Sequence, residues 1–307
     1  MIRLDALTLK QLRALVSVGQ TGSLTATAEA MGLTPPAIHS QIKNLEVALE
    51  TAMLMRNPAT SGLIPSPEGA LMIEAACRID AILSHCATQI VALSRGQIGQ
   101  VTLGVVSTGK YFAPRLVRIL NEACPEIDIT LRVGNRGEVI SDLDRGAVDL
   151  AIMGRPPRMP EVIATALGAH PHGIVLPPDH YLVWQTTVSA DMLLRETFLL
   201  REEGSGTRIL MSRYLDRLAE GRVYKQVEMG SNETIKQAVI AGLGIAFLSL
   251  HTVMDEVHHG RLHLLQEGGL PIMRQWYLVH KAATPLSAAA QRLAERIEAL
   301  NGAFLPQ

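Results

Sequence analysis

Apolar side chains recur at helical spacing through the first third of the chain. Leu9, Leu12, Leu15 and Val16 share one face behind Thr8, a residue suited to a helix cap. Thr21-Gly22-Ser23 breaks that pattern and starts a second helix over residues 24–30. Gly32 makes a tight turn. Thr34 then opens a third helix with Pro35 at its first position, where the missing N–H costs nothing. Ile38, Ile42, Leu45 and Leu49 form one stripe along it. Residues 53–56 and 63–65 read as short strands around the turn chemistry of Asn57-Pro58-Ala59-Thr60-Ser61-Gly62. Over residues 67–93, Met72, Ala75, Ile79, Ile82, Cys86, Ile90 and Leu93 alternate by three and four, as a two-helix seam requires. Such a helix extends roughly 40 Å at 1.5 Å per residue. It has little of its own chain to bury against, so it reads as a spacer that pairs with a second copy. The competing reading is a core helix of the next domain.

After Gly96-Gln97-Ile98-Gly99-Gln100 the period changes. Strand patterns at 101–106, 127–133 and 148–153 alternate with helical patterns around Leu116, Ile119 and Leu120 and over 139–145. This βαβαβ order predicts a parallel, doubly wound sheet. A second cycle places strands at 173–176, 198–201, 224–229 and 245–249, with helices over 207–219 and 231–241. A strand at 275–280 returns, and a last helix over 286–300 aligns Ala289, Leu293, Ile297 and Leu300. The expected fold class is α/β with an N-terminal all-α winged helix-turn-helix, a long linker helix and a two-lobed, periplasmic-binding-protein-like effector domain. The expected bounds are 1–66, 67–95 and 96–307. Lobe I takes about 100–168 and 272–307, and lobe II about 169–271.

Composition narrows the class. The chain has 307 residues, enough for two or three compact units. It is 48% hydrophobic but only 4% aromatic, so aliphatic side chains must build the cores. A net charge of −1 does not by itself announce a polyanion partner. Cys77, Cys86 and Cys124 show no CxxC pairing and no metal-ligand spacing, which suits a reducing compartment. Asp5, Lys10 and Arg13 interrupt any signal-peptide core, and no apolar run is long enough to span a bilayer. These features predict a soluble cytoplasmic protein with no membrane partner, no metal and no cofactor.

The segment over residues 23–46 suits a DNA reader, in which one helix braces and the next enters the major groove by its N-terminal end. Leu24, Ala28, Met31, Leu33 and Ile38 are the expected internal contact. The candidate contacts to double-stranded DNA are Ser23, Thr25, Thr34, Pro35, Pro36, His39, Ser40 and Lys43, with Arg56 and Ser61 in the wing. Hydroxyls and the helix N-terminus suit phosphates. Proline methylenes suit thymine methyls, and His39 can donate to a base edge or a phosphate. Charge does not decide the matter, because residues 1–65 carry five basic and four acidic side chains. The alternative is a small helical subdomain with a solvated polar face.

In the second half, candidate chemistry follows the strands, where ligands of such sheets bind. Ser107, Thr108 and Lys110 follow the first strand. Arg201, Glu202, Ser205, Gly206, Thr207 and Arg208 follow another and open a helix. Small residues there let backbone approach an anion, and the two arginines add charge. The alternative for both stretches is an ordinary helix cap. Asn135, Arg136 and Arg155 follow other strands and complete the candidate cleft. Asn232-Glu233 reads as a cap, and the histidines as surface or core residues. No Walker loop, metal cluster or Ser-His-Asp order stands out, so an enzyme reading lacks a mechanism. A solute-binding protein without DNA function remains the alternative of a different class.

The chain resembles the LysR-type transcriptional regulators. The resemblance rests on Pro36-Ala37-Ile38, Gln41-Ile42-Lys43-Asn44-Leu45-Glu46, Arg56 and Pro67-Glu68-Gly69, and it covers the whole length. Thr27, His39, Glu50, Leu54 and Pro65-Ser66 depart from the usual pattern, where alanine, serine, glycine, phenylalanine and Leu-Thr are common. The resemblance implies a homodimer or homotetramer that binds DNA and answers to a small-molecule effector. Residues 99–116, 204–208 and 229–249 further resemble the branch that controls the RuBisCO operon and responds to phosphorylated metabolites or NADPH. A regulator of another metabolic operon is the alternative. Gly109 and Glu203 depart from that branch. These expectations place an anionic or phosphorylated effector on the 201–208 loop, and Arg208→Ala is then expected to abolish the response.

Overall fold

The computed structural model describes residues 3–58, 62–94, 99–267 and 269–306. The chain forms two compact units that divide after Ala87.

The first unit holds α1 (Leu9–Thr21), α2 (Leu24–Met31), α3 (Pro35–Leu49), β1 (Leu54–Arg56), β2 (Leu63–Pro65) and the start of α4 (Pro67–Ser94). Thr8 and Gln11 cap α1 reciprocally: the Gln11 N–H donates to Thr8 Oγ1 at 3.3 Å, and the Thr8 N–H donates to Gln11 Oε1 at 2.8 Å. Ser23 caps α2 by accepting from the Ala26 N–H at 3.3 Å. Leu12, Leu15, Val18, Ala28, Ile38, Ile42, Leu45, Leu49 and Met53 make the core, which Met72, Ile73 and Ala76 of α4 help to close. The first turns of α4 therefore belong to this core, although the sequence suggested a rod with little to bury against. Farther along α4, Ile79, Ile82, Leu83 and Ile90 are exposed, as a seam awaiting a partner helix requires. Leu33 is 47% exposed, so the turn after Gly32 carries it away from the expected internal contact.

Three of the departures from the family pattern sit in well-defined local surroundings. Thr27 is fully buried, but its hydroxyl pairs with Thr21 Oγ1 at 2.8 Å, so no polar atom is stranded. Glu50 ends α3 at φ 54°, a left-handed position that favours glycine. Ser66 is buried, donating to the Ala52 carbonyl at 2.7 Å and accepting from the Gly69 N–H at 2.9 Å. A Cβ on Gly69 would lie 1.9 Å from the Met53 carbonyl oxygen, so only glycine lets α4 pack this closely behind β1.

The second unit contains β3 (Gly99–Val106), α5 (Ala113–Ala123), β4 (Ile127–Gly134), α6 (Arg136–Arg145), β5 (Leu150–Met153) and β6 (Val162–Leu176). There follow α7 (Ala190–Leu194), β7 (Thr197–Arg201), α8 (Gly206–Ala219), β8 (Lys225–Met229), α9 (Asn232–Ile240) and β9 (Ile245–Ser249). The unit ends with α10 (Met254–His258), β10 (His263–Leu264), β11 (Ile272–Lys281) and α11 (Ala288–Ala299). The strand order is β4-β3-β5-β11-β6-β9-β7-β8, with β10 on β6. The β3, β4 and β5 strands pair in parallel, as do β7, β8 and β9. The sheet is nevertheless not wholly parallel. Strands β6 and β11 pair antiparallel to each other and to their outer neighbours, β9 and β5. These two long strands run through both lobes, and their register shifts between Trp276 and Tyr277, opposite Ala166–Gly168. One core gathers residues of lobe I with Trp276, Leu293 and Ile297, and two others fill lobe II on either side of its strands. The sequence predicted only the last four residues of β6, because Gly168, His170, Pro171 and His172 interrupt the apolar pattern.

Candidate functional site

Two surfaces carry the candidate chemistry. On α3, Ile38, Ile42, Leu45 and Leu49 are buried, which fixes the helix by one side. Thr34, Pro35, Pro36, His39, Ser40 and Lys43 are exposed on the start and outer face. Thr25 on α2 and Arg56 on β1 are exposed too, whereas Ser23 is half-buried and engaged as a cap. Ser61 lies outside the described residues. The expected backbone donors at the start of α3 are not there. Pro35 and Pro36 have no N–H, and the Ala37 and Ile38 N–H groups both donate to the Thr34 carbonyl, at 2.9 and 3.1 Å. Thr34 occupies the cap position without a side-chain capping bond. Side chains must therefore make the contacts of this face.

The second surface is a cavity of about 370 Å³ between the lobes. That volume fits a small metabolite. Ser107, Thr108, Arg136 and Arg155 line it from lobe I, and Ser205, Gly206 and Thr207 line it from the start of α8. The sequence had singled out all seven. Arg158, His170, His172, Arg213 and Arg274 line it as well, and these the sequence had not marked. Five arginines thus face the cavity with no carboxylate among the lining side chains. None of the five has an ion pair among the described residues.

Arg136 is the best defined of the five. Its Nη2 donates to the carbonyls of Arg155 at 3.2 Å and Pro156 at 3.4 Å. Burial, and then the charge of Arg155, disfavour its cationic form and lower its pKa, although a guanidinium stays protonated at any physiological pH. A Cβ on Gly206 would sit 3.3 Å from Arg136 Cδ, so the glycine makes room for the arginine over the first turn of α8.

His170 and His172 line the floor, with Trp276 and His251 packed behind them. His170 stacks on the Trp276 ring with centroids 3.8 Å apart, and His172 lies beside it. His170 Nε2 meets Ser249 Oγ at 3.0 Å, and Trp276 Nε1 donates to His251 Nδ1 at 3.1 Å. Burial holds all three histidines neutral: His172 and His251 are pushed down to about 4, and His170 is lowered well below the usual value.

The remaining predicted residues lie beside the cavity or away from it. Arg201 is 3% exposed and donates to both carboxylate oxygens of Glu202 at 2.7 Å, to Asn232 Oδ1, and across the lobes to Ser107 Oγ at 3.1 Å. Arg208 pairs with Glu228 and donates to the Arg201 carbonyl at 3.1 Å. The two arginines expected to hold an anion are therefore engaged by protein acceptors, and neither lines the cavity. Lys110 pairs with Glu233 at 3.4 Å, and Asn135 caps α6 reciprocally with Glu138. Asn232, which the sequence suggested as a cap, is instead the buried acceptor for Arg201; Ser231 is the cap of α9. The Arg201–Ser107 and Lys110–Glu233 ties, with the Gly137 N–H donating to the Gly204 carbonyl at 3.3 Å and the Tyr111 hydroxyl donating to Glu233, hold the two lobes together.

Residues 9–70 match the bacterial regulatory helix-turn-helix protein model of the lysR family, and residues 94–301 match the LysR substrate binding domain. The chain belongs to the LysR family and is a transcriptional regulator rather than an enzyme. It is 61% identical to the HTH-type transcriptional regulator CbbR of Cereibacter sphaeroides, over 100% of this chain and 99% of that one. It is 36% identical to the RuBisCO operon transcriptional regulator of Allochromatium vinosum, over 92% of each chain. The regulatory domain of Synechocystis PCC6803 CcmR in complex with 2-PG superimposes with a TM-score of 0.61 at 31% identity, over 66% of this chain and 97% of that one. Full-length CbnR complexed with its target DNA shares the fold, with a TM-score of 0.70 at 16% identity over 95% of this chain and 99% of that one. Among the described residues no helix is long and apolar enough to cross a membrane.

Proposed function

We propose that this chain regulates carbon-fixation genes, and that a small anionic metabolite in the cavity between the lobes sets its activity. The observation that carries the effector reading is the group of five arginines facing one cavity without a carboxylate. Such a cluster repels itself until an anion enters, so binding relieves a strain already present. The CcmR domain holding 2-PG and the relative named for the RuBisCO operon support the same reading. The exposed face of α3 reads double-stranded DNA, and the exposed apolar residues of α4 pair with a second copy, so that two reading heads act together.

The test is a gel shift on the DNA flanking this gene, with and without phosphorylated metabolites. A specific retarded complex is expected, and the metabolite should change its affinity or footprint. Arg136→Gln should weaken the metabolite response by about tenfold or more, the usual range for losing a charged hydrogen bond, while DNA affinity stays unchanged. Absence of specific retardation at low salt would sink the proposal.

A further inference from the structure

We propose that Tyr111 and Glu233 form a latch that sets how often the two lobes of the second unit part, and that the effector of the cavity enters and leaves through that parting. The second clause rests on the effector reading above; the first does not.

Each buried apolar core of this unit lies within one lobe. The cores therefore stay closed when the lobes separate. What joins the lobes is the pair of long strands β6 and β11, which can serve as a hinge, and a set of polar ties. Polar ties exchange for water at small net cost, whereas exposing apolar area is expensive. The boundary can thus open and reclose with the fold intact.

Glu233 collects several of those ties at one point on the first turn of α9, in lobe II. Tyr111, the last residue of the Ser107–Tyr111 turn of lobe I, donates its hydroxyl to Glu233 Oε1. Lys110 Nζ of the same turn stands 3.4 Å from Oε1, and Lys236 Nζ stands 3.1 Å from Oε2. Lys236 is 5% exposed and pairs with Glu256 of α10 at 2.9 Å, and its Nζ lies 5.0 Å from the centre of the Tyr111 ring. Lobe II thus presents a socket braced from behind, and lobe I lays one aromatic side chain against it. Burial, then the bond to Glu233, push the Tyr111 hydroxyl far above its usual pKa, so it remains a donor. Burial opposes the charge of Glu233, but the bonds from Tyr111 and Lys236 outweigh it and hold the carboxylate ionised. The Glu233 side chain is nevertheless half-exposed, so water can take over its ties when the lobes part.

The latch and the cavity share an element. Ser107 and Thr108, at the other end of the Tyr111 turn, line the cavity. Asn232, beside Glu233, accepts from Arg201, which donates in turn to Ser107 Oγ at 3.1 Å. Release at Tyr111 therefore frees the turn that carries two cavity residues.

Hydrogen exchange on the full chain reads the parting directly. Gly137 is the second residue of α6, where an N–H has no acceptor in its own helix, and it donates across the boundary to the Gly204 carbonyl. Its exchange rate follows the open population. Tyr111→Phe keeps the ring beside Lys236 and should speed Gly137 exchange by about tenfold, the usual factor for one charged hydrogen bond. Glu233→Gln should speed it at least as much, and the double variant should fall short of the product of the two. Amides of β3 and β9 should exchange as before. Glu122→Gln, which breaks an exposed pair on α5 within lobe I, should leave Gly137 unchanged. Stopped-flow release of bound 2-phosphoglycolate should quicken by about threefold or more in both latch variants, although neither residue lines the cavity.

Unchanged Gly137 exchange in both variants overturns the latch. Equally faster exchange throughout β3 and β9 overturns it too, since the loss is then one of global stability. Faster Gly137 exchange with an unchanged release rate overturns the second clause and leaves the latch standing. If calorimetry shows that the unaltered chain binds neither 2-phosphoglycolate nor inorganic phosphate at millimolar concentration, the effector reading falls and the coupling with it, while the exchange rates still decide the latch.

Discussion

Residues 1–65 balance five basic against four acidic side chains, whereas the cavity of the second unit gathers five arginines against no acid. On the proposed reading both units face anionic partners, but their surroundings differ. The face of α3 is open to solvent, where salt screens each charge within about 10 Å. Recognition there rests on helix shape, on the residues that α3 presents and on repetition by a second copy. The cavity is half enclosed, so each unpaired guanidinium acts at a lower effective dielectric and counts for more. One unit reads a polyanion by form, and the proposed effector site of the other would answer a small anion by charge.

The largest expected effect tests whether the two units are separately stabilised. Ile38 is fully buried at the centre of the first core. Ile38→Ala should cost about 2–5 kcal/mol there, the range for cavity-forming substitutions. Denaturant titration followed by limited proteolysis should show the first unit unfolding early and the second unchanged. Simultaneous loss of both would break the separation.

Acid should act on the opposite unit. His172 and His251 are held near 4 when folded, and an unfolded histidine titrates near 6.5. Between those values the unfolded chain binds more protons, so stability is full above about 6.5 and falls as the pH drops toward 4. Each histidine contributes up to about 1.4 kcal/mol per pH unit in that window. Melting curves at pH 7.5 and 5.0 should show the two-lobed unit losing stability, and His251→Gln should lessen the loss.

A smaller effect is expected on the open face. His39→Ala should weaken DNA binding by about 1–3 kcal/mol if His39 meets a base edge, and should alter sequence preference. Lys43→Ala should weaken all sequences alike and reduce the salt slope by about 1. Quantitative footprinting across a salt series separates the two roles, and neither change should alter calorimetric binding of metabolites. Arg208→Ala should matter least. Arg208 is held by Glu228 outside the cavity, so the effector response should persist, with stability changed by at most about 1 kcal/mol. A lost response would restore the 201–208 loop as the anion seat.

Much of this fold was legible in the periodicity. The stripe Ile38, Ile42, Leu45 and Leu49 predicted α3, and strand 245–249 emerged with the bounds of β9, because each element is a local apolar pattern with clear ends. Ser205, Gly206 and Thr207, singled out in the sequence, line the cavity at the start of α8. Arg208 pairs with Glu228 outside the cavity, and a charge beside a glycine loop looks the same in sequence whether or not a residue twenty positions on takes it up. Asn232 misled in the same way, since its partner Arg201 is 31 residues away.

The sequence by itself determined the helix-turn-helix, the long helix α4, the two α/β cycles and the family, because spacing and short motifs are properties of neighbouring residues. The tertiary structure decided which arginines are spent and which are free. Arg136, Arg155, Arg158, Arg213 and Arg274 come from two helices, one loop and one strand that are distant in the chain. They meet only because β6 and β11 run through both lobes and the cavity lies between those lobes. Their charge has chemical meaning only through what surrounds them, and long-range pairing alone fixes those surroundings.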